Sequence, residues 1–461
     1  MLWGPWVYGS TPPWAREQLA WLLLVLGGLL VAGFCARPRW PHGSKWSFGL
    51  LGGLLGFGWL MALNAPSEFL PGLEAFIPIK QSVKWLPGSV DRATSAETMR
   101  LVTGLAAAFV VAADCCNERN WRNRLWMAMA VTAIGIACLG LAQRASGTRV
   151  IFGLPDGHQG AIFATYFNRN NGAAFCNLVL PLLTGLCALA LRPNGRQSSR
   201  VLWTLGTLAV AATILVSGSR GGAAVGTFVF VVSAGWLIWS WKQEKLRPAG
   251  AGRSLAVGAI LVGAFFVLSW AAGWTELWKR LNEADVGISP DARWQVYSLC
   301  KRVAADAGWW GFGPGAFSLI FPSYTSEIPE LDAGFWRYAH NDYWQTAIEW
   351  GWAGAGAWAV LLFGGLLTGV RRLFERGTKL FAGSTVFLAC NLTGLVGVSI
   401  HATVDFPLQI ASIQLYSVIM LGVVWSLRPS TRRRHTGAKS AKPAQSIKLL
   451  EPEPISSRVE N

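Results

Sequence analysis

Eleven runs of about 20 apolar residues constrain this chain more than any other feature. They lie near 18–36, 46–64, 98–114, 124–142, 171–191, 201–217, 221–241, 254–273, 347–370, 381–399 and 408–427, separated by charged or Pro/Gly-rich breaks. A bilayer core needs about 20 mostly apolar residues per helix. The runs are too long and too uniformly apolar for barrel strands. Composition agrees: 52% of the 461 residues are hydrophobic and 14% charged, whereas a soluble chain is nearer a quarter charged. Its 26 Trp suit membrane–water interfaces. The expected fold is therefore all-α and polytopic. Residues 1–427 form its membrane domain, which includes a large loop at 274–346, and 428–461 form a disordered basic tail.

The formal net charge of +16 invites a nucleic-acid reading until the basic residues are located. Arg37, Arg39 and Lys45 fall in one short loop, and Arg119, Arg122 and Arg124 in the next of the same set. Arg192, Arg196, Arg200, then Lys242, Lys245, Arg247 and Arg253, then Arg371, Arg372, Arg376 and Lys379 continue it, and Arg428 and Arg432–Arg434 end it. Alternate loops near 65–97, 143–170 and 274–346 are longer, and the last holds six Lys/Arg against nine Asp/Glu. The positive-inside rule places the first set in the cytoplasm and the second outside. The charge is then a topology signal, and no nucleic-acid partner is expected. Met1 to Arg16 lacks a basic region ahead of an apolar one, so it is not a signal peptide. The scheme puts the N-terminus outside and the C-terminus inside.

Eight Cys, none in a CxxC pair, mostly fall in apolar runs and read as small buried hydrophobes. Gly52 and Gly56 have the spacing of close helix packing. The spans carry almost no ionisable residue near their centres, which counts against a transporter, lipid-linked glycan flippase or proton pump.

Polar chemistry gathers instead on the outer face. Ser289-Pro290-Asp291 is a helix start, and Val296, Leu299, Val303 and Ala307 form an apolar stripe on the helix that follows. Arg293 lies in its first turn. GWWGFGPGAF then breaks the helix. With no GK[ST] after it and no strand before it, this reads as a tight turn rather than a nucleotide loop. His340 precedes the ninth span. There it is either a hydrogen-bonded structural residue or, as a neutral imidazole at the positive end of the helix dipole, a proton acceptor. Asp342 is expected to cap that helix, with orientation of the His as the alternative. Arg220, in SGSRGG, sits at the bilayer edge, where it could snorkel to headgroups or meet a ligand brought close by the glycines. Asn168-Arg169-Asn170 reads as a helix cap, and His401 and Asp405 as a local hydrogen-bonded pair. No Asp/Glu/His cluster suggests a metal, and no cofactor is expected.

In order along the chain, these motifs resemble the O-antigen ligase and polymerase family of bacterial membrane glycosyltransferases. The matching stretches are NRNNGAAF (168–175), SGSRGG (217–222), ARWQVY (292–297), GFGPGAF (311–317) with Tyr324, HNDYWQTAIEWGWAG (340–354) and HATVDFPLQ (401–409). The resemblance implies a GT-C-like helical enzyme of the inner membrane, active on its periplasmic face. It implies an undecaprenyl-pyrophosphate-linked glycan as donor and a glycan, lipid A–core or protein hydroxyl as acceptor. It makes His340 the catalytic base and Arg220 and Arg293 the pyrophosphate-binding residues of a metal-independent, inverting reaction. Asn168, Arg169, Asn170, Tyr324, Asp342, His401 and Asp405 become supporting candidates. Ligase, repeat-unit polymerase and protein oligosaccharyltransferase remain open within the family. Members commonly have about twelve spans with both ends inside, so the resemblance also raises the expectation that Met1 is a late start and one further span precedes it.

Overall fold

A computed structural model describes residues 1–70, 72–73, 75–79, 82–148, 150–152, 162–191, 196–242, 263, 290–326, 336–375 and 382–427, and of residues 238–242, 290–293 and 382–383 the backbone alone. Its helices are α1 (Trp3–Trp6), α2 (Pro13–Ala36), α3 (Lys45–Leu63), α4 (Arg92–Cys115), α5 (Arg119–Ser146), α6 (Arg169–Ala190), α7 (Gln197–Val216) and α8 (Arg220–Lys242). They continue with α9 (Pro290–Ala307), α10 (Phe317–Ile320), α11 (Pro322–Thr325), α12 (Asp342–Phe374), α13 (Ala382–His401) and α14 (Ala411–Ser426). Among the described residues nine helices are long and apolar enough to cross a membrane, and α14 is a shorter apolar helix. The protein is an all-α polytopic membrane protein. Ten of the expected runs coincide with these ten helices; the run at 254–273, apart from residue 263, and the tail at 428–461 lie outside the described residues.

α6 is the axis of the bundle: most of its residues are buried, and it packs against α7, α8 and α13. α4 plays the same part in the other half, between α2, α3 and α14. Backbones approach closely where side chains vanish. A Cβ at Gly394 of α13 would press on the Leu178 carbonyl of α6, and one at Gly104 of α4 would stand 2.7 Å from Leu23 Cβ of α2. Gly52 and Gly56 do not serve in this way, since a Cβ at either would meet nothing within 4 Å. Among the described residues no neighbour packs on that face of α3. The eight Cys are free; five are buried as expected, Cys115 is half-buried, and Cys35 and Cys138 lie on the exposed surface.

A two-stranded antiparallel hairpin, β1 (Ser67–Leu70) and β2 (Ala75–Pro78), was not anticipated. Asp91, the N-cap of α4, anchors it. One carboxylate oxygen accepts from Thr94 N at 2.8 Å and the other from Phe69 N at 2.6 Å.

The extramembrane segment after α9 is locked to α12 by a break in that helix. At Gly351 the backbone turns to φ 63°, ψ 177°, a conformation essentially open to glycine alone. The groups freed by the break pair with residues 308–313. Phe312 and Gly313 donate to the Ile348 and Glu349 carbonyls (3.0 and 2.9 Å), while Trp352 and Ala353 donate to those of Gly308 and Trp309 (3.1 and 3.2 Å). The GFGPG stretch is thus more than a turn. It runs along the broken helix and satisfies backbone groups that burial would otherwise leave unmade. A second small core backs this joint. Val296, Leu299 and Val303 of the expected stripe pack with Phe317, Phe321, Trp336 and Ile348, and Ala307 is half-buried at its edge.

Candidate active site

Four separate sequence motifs converge at one end of the bundle. The first is the turn into α8. Ser219 begins the helix, its hydroxyl accepting from Gly222 N at 3.0 Å and its carbonyl from Ala223 N at 2.8 Å. Asn177 of α6 steadies the turn by donating to the Gly222 carbonyl at 2.8 Å. Arg220 is the first helical residue and is exposed. A Cβ at Gly221 would come 3.7 Å from His401 Nε2 and 3.8 Å from Val404, so the start of α8 lies against the turn that follows α13.

That turn is the second motif, and it carries the partner of His340. Asp405 is 3% exposed, and its Oδ1 lies 3.1 Å from His340 Nδ1. A carboxylate only accepts, so the bond assigns the proton to Nδ1 and leaves the Nε2 lone pair available. The imidazole packs edge-on against Phe406 (centroids 4.8 Å) and Trp336 (6.0 Å), and its side chain is 16% exposed.

The third motif is HNDYWQ itself. His340 stands at φ 51°, a left-handed conformation that costs a β-carbon residue energy and is kept only where surroundings impose it. Asn341 is the N-cap of α12, its Oδ1 accepting from Tyr343 N and Trp344 N at 3.0 and 3.1 Å, while its Nδ2 donates to the Thr403 carbonyl at 2.8 Å. Asp342 N donates to Ala402 O at 2.9 Å, and its buried carboxylate accepts from Leu408 N (2.8 Å) and Gln409 Nε2 (3.1 Å). Asp342 therefore neither caps α12 nor touches His340. It fastens the 407–409 turn to the helix start, because Asn341 already occupies the cap.

The fourth motif is ARWQVY on α9. Tyr297 donates its hydroxyl to the His340 carbonyl at 2.8 Å. Position 293 precedes it by one helical turn and so shares its face; the side chain of Arg293 lies outside the described residues.

The remaining candidates have structural partners. Asn168 is the N-cap of α6 and accepts from Asn170 N at 2.8 Å, as the sequence suggested; Arg169 and Asn170 form the first turn. Tyr324 donates to Asp306 at 3.0 Å, tying α11 to α9; burial and that carboxylate both raise its pKa. His401 and Asp405 are not joined through their side chains. A backbone hydrogen bond links them, Asp405 N to His401 O at 3.1 Å, while His401 Nδ1 is buried without a hydrogen-bond partner among the described residues. Sequence reasoning missed Asn341, Gln345 and Glu349. Gln345 donates to Glu349 at 3.0 Å and Glu349 accepts from Gly315 N at 2.9 Å, securing the GFGPG segment. Among the described residues no three of His, Cys, Asp and Glu gather as a metal site.

Residues 205–359 match the family model described as O-antigen ligase. The chain carries a domain of the O-antigen ligase family. That domain contains Arg220, Arg293, Tyr297 and His340. Asp405, which completes the His340 pair, comes from beyond the matched stretch, as does the α6 turn at 168–175. The His340–Asp405 contact thus joins the matched stretch to the turn that follows α13. No curated protein matches the chain. Its function is O-antigen-ligase-like and belongs to surface polysaccharide biosynthesis.

Proposed function

We propose that the protein transfers a glycan from undecaprenyl pyrophosphate to an acceptor hydroxyl on the periplasmic face of the inner membrane. The observation that carries the reading is the His340–Asp405 pair, 3.1 Å apart at a partly open position. His340 Nε2 takes the proton of the acceptor hydroxyl as its oxygen attacks the anomeric carbon. The bond from that carbon to the pyrophosphate oxygen breaks, and the carrier leaves with both electrons. Asp405 offsets the imidazolium that forms and holds the ring in the tautomer needed. Attack opposite the leaving group inverts the anomeric centre through an oxocarbenium-like transition state. The chain's own side chains supply the base and the cations, so the reaction proceeds without a metal.

Arg220 and Arg293 hold the pyrophosphate. Guanidinium stays charged at every physiological pH and matches phosphate oxygens with two parallel donors. Arg220 is exposed at a helix N-terminus, where backbone dipoles also favour an anion. The His401 wall beside Gly221 sets this helix start next to the Asp405 turn.

The test is transfer by purified protein from an undecaprenyl-pyrophosphate-linked glycan. His340→Ala should lower turnover by about 10²–10⁴-fold, the range for loss of a general base, with unchanged protein abundance. Retained turnover would remove His340 from that role. Glycan analysis of a deletion strain then separates the acceptors. Polymer left on the carrier means a ligase, and single repeat units left there mean a polymerase.

A further inference from the structure

A cavity of about 630 Å³ lies on the other side of the His340 turn, bounded by α2, α4, α12 and α14. Tyr338 and Asp342 belong to its wall, but Arg220, His340 and Asp405 do not. Its character changes along α4. Thr94, Glu97 and Thr98 line the end nearest the helix start, and the lining then becomes Leu101, Leu105 and Phe109. At 1.5 Å per residue the stretch from 94 to 109 is about 22 Å long, most of the way through a hydrocarbon core of about 30 Å. Trp352 and Phe363 of α12, both part of the lining, remain 45% and 46% exposed.

Its polar end has one buried donor atom without a partner among the described residues and one exposed guanidinium. Arg16 Nε is buried without a partner among the described residues, and the guanidinium reaches only Thr98 Oγ1, at 3.3 Å. Arg337 also faces this end; its charge lies 5.7 Å from the Tyr338 ring centroid. Neither arginine makes an ion pair within 4 Å among the described residues, although the Arg16 charge acts on the Glu349 carboxylate in the same wall. Acidic groups line the cavity too, but Asp342 and Glu349 each already accept two hydrogen bonds from the protein, which leaves Glu97 as the one without such bonds among the described residues. A buried Arg donor left unmade is costly. A phosphate oxygen would satisfy it.

We infer that this cavity is a second lipid site, taking one chain of a phosphate-bearing lipid into the apolar shaft with its headgroup held by Arg16 and Arg337. It does not rest on the catalytic reading of His340. The test uses full-length protein in detergent, stripped of lipid, offered phosphatidylglycerol or diacylglycerol and measured by native mass spectrometry. One phosphatidylglycerol should be retained per chain, with diacylglycerol retained at least about tenfold less, the effect of a charge-assisted hydrogen bond worth 1.4 kcal/mol or more. His340→Ala should retain the phospholipid like wild type. Leu105→Trp, filling the shaft, should abolish retention, and Arg16→Gln with Arg337→Gln should lower it about tenfold. Should Leu105→Trp fail to fold, the arginine pair decides alone. Equal retention of both probes, retention unaffected by the arginine pair, or displacement by orthophosphate would each overturn the inference. Displacement by undecaprenyl phosphate would do so as well, by making the cavity part of the donor site.

Discussion

At the residue scale the site depends on which partner each side chain finds. His340 was legible as a candidate because of its place before a span. Asp405 was legible only as a neighbour of His401, since its true partner is 65 positions away. Sequence proximity offered Asp342 as a helix cap, with orientation of His340 as the alternative, yet Asn341 takes the cap and Asp342 binds the 407–409 turn. Asp405→Ala should lower turnover less than His340→Ala does, by about 10–100-fold, the scale for removing a carboxylate that orients a histidine ligand. Equal activity of Asp405→Ala and wild type would show that the ring needs no such partner. Cys300 makes a separate prediction. Burial pushes its thiol up to about 12, and the thiolate is the reactive form. At pH 8 only on the order of one in ten thousand would be ionised. Maleimide should leave Cys300 unlabelled until the protein is denatured; rapid labelling in the native state would contradict the packing of α9.

At the element scale the decisive feature is the break in α12. Periodicity gave a single span starting near 347, and the helix does run on to Phe374, but Gly351 divides it and the GFGPG segment pairs with the division. Such pairing joins residues about 40 apart and leaves no local trace beyond the glycines themselves. Gly351→Ala would force a β-carbon residue into a glycine-only conformation and drive its Cβ into the Trp309 carbonyl. It should cost about 1–3 kcal/mol or more, seen as a lower Tm in detergent together with lost transfer. An unchanged Tm would mean that the joint is not needed to hold the extramembrane segment. At the opposite end, Asp114 of α4 is held by both terminal nitrogens of Arg39 (2.7 and 2.5 Å) and by His42 N (2.9 Å). One of the expected cytoplasmic anchors is therefore also a clamp between the α2–α3 loop and α4.

At the scale of the whole molecule, hydropathy made the class and ten of the helices legible, because a membrane helix is a local property of about 20 residues. What hydropathy leaves open is which helices meet. Arg220, His340 and Asp405 come from three places in the chain and share one end of the bundle only through the packing of α8, α12 and α13. Gly52 and Gly56 show the same limit from the other side, since their spacing suits packing and no neighbour is there among the described residues. The charge pattern predicts that reporter fusions at 195 and 320 report opposite sides of the membrane; the same side for both would invert the scheme.

The most direct measurement is single-turnover transfer by wild type and His340→Ala, with donor binding measured on the same preparations. The account predicts that His340→Ala binds the undecaprenyl-pyrophosphate-linked glycan as wild type does, through Arg220 and Arg293, and forms product about 10²–10⁴-fold more slowly. Product formed at the wild-type rate would contradict it.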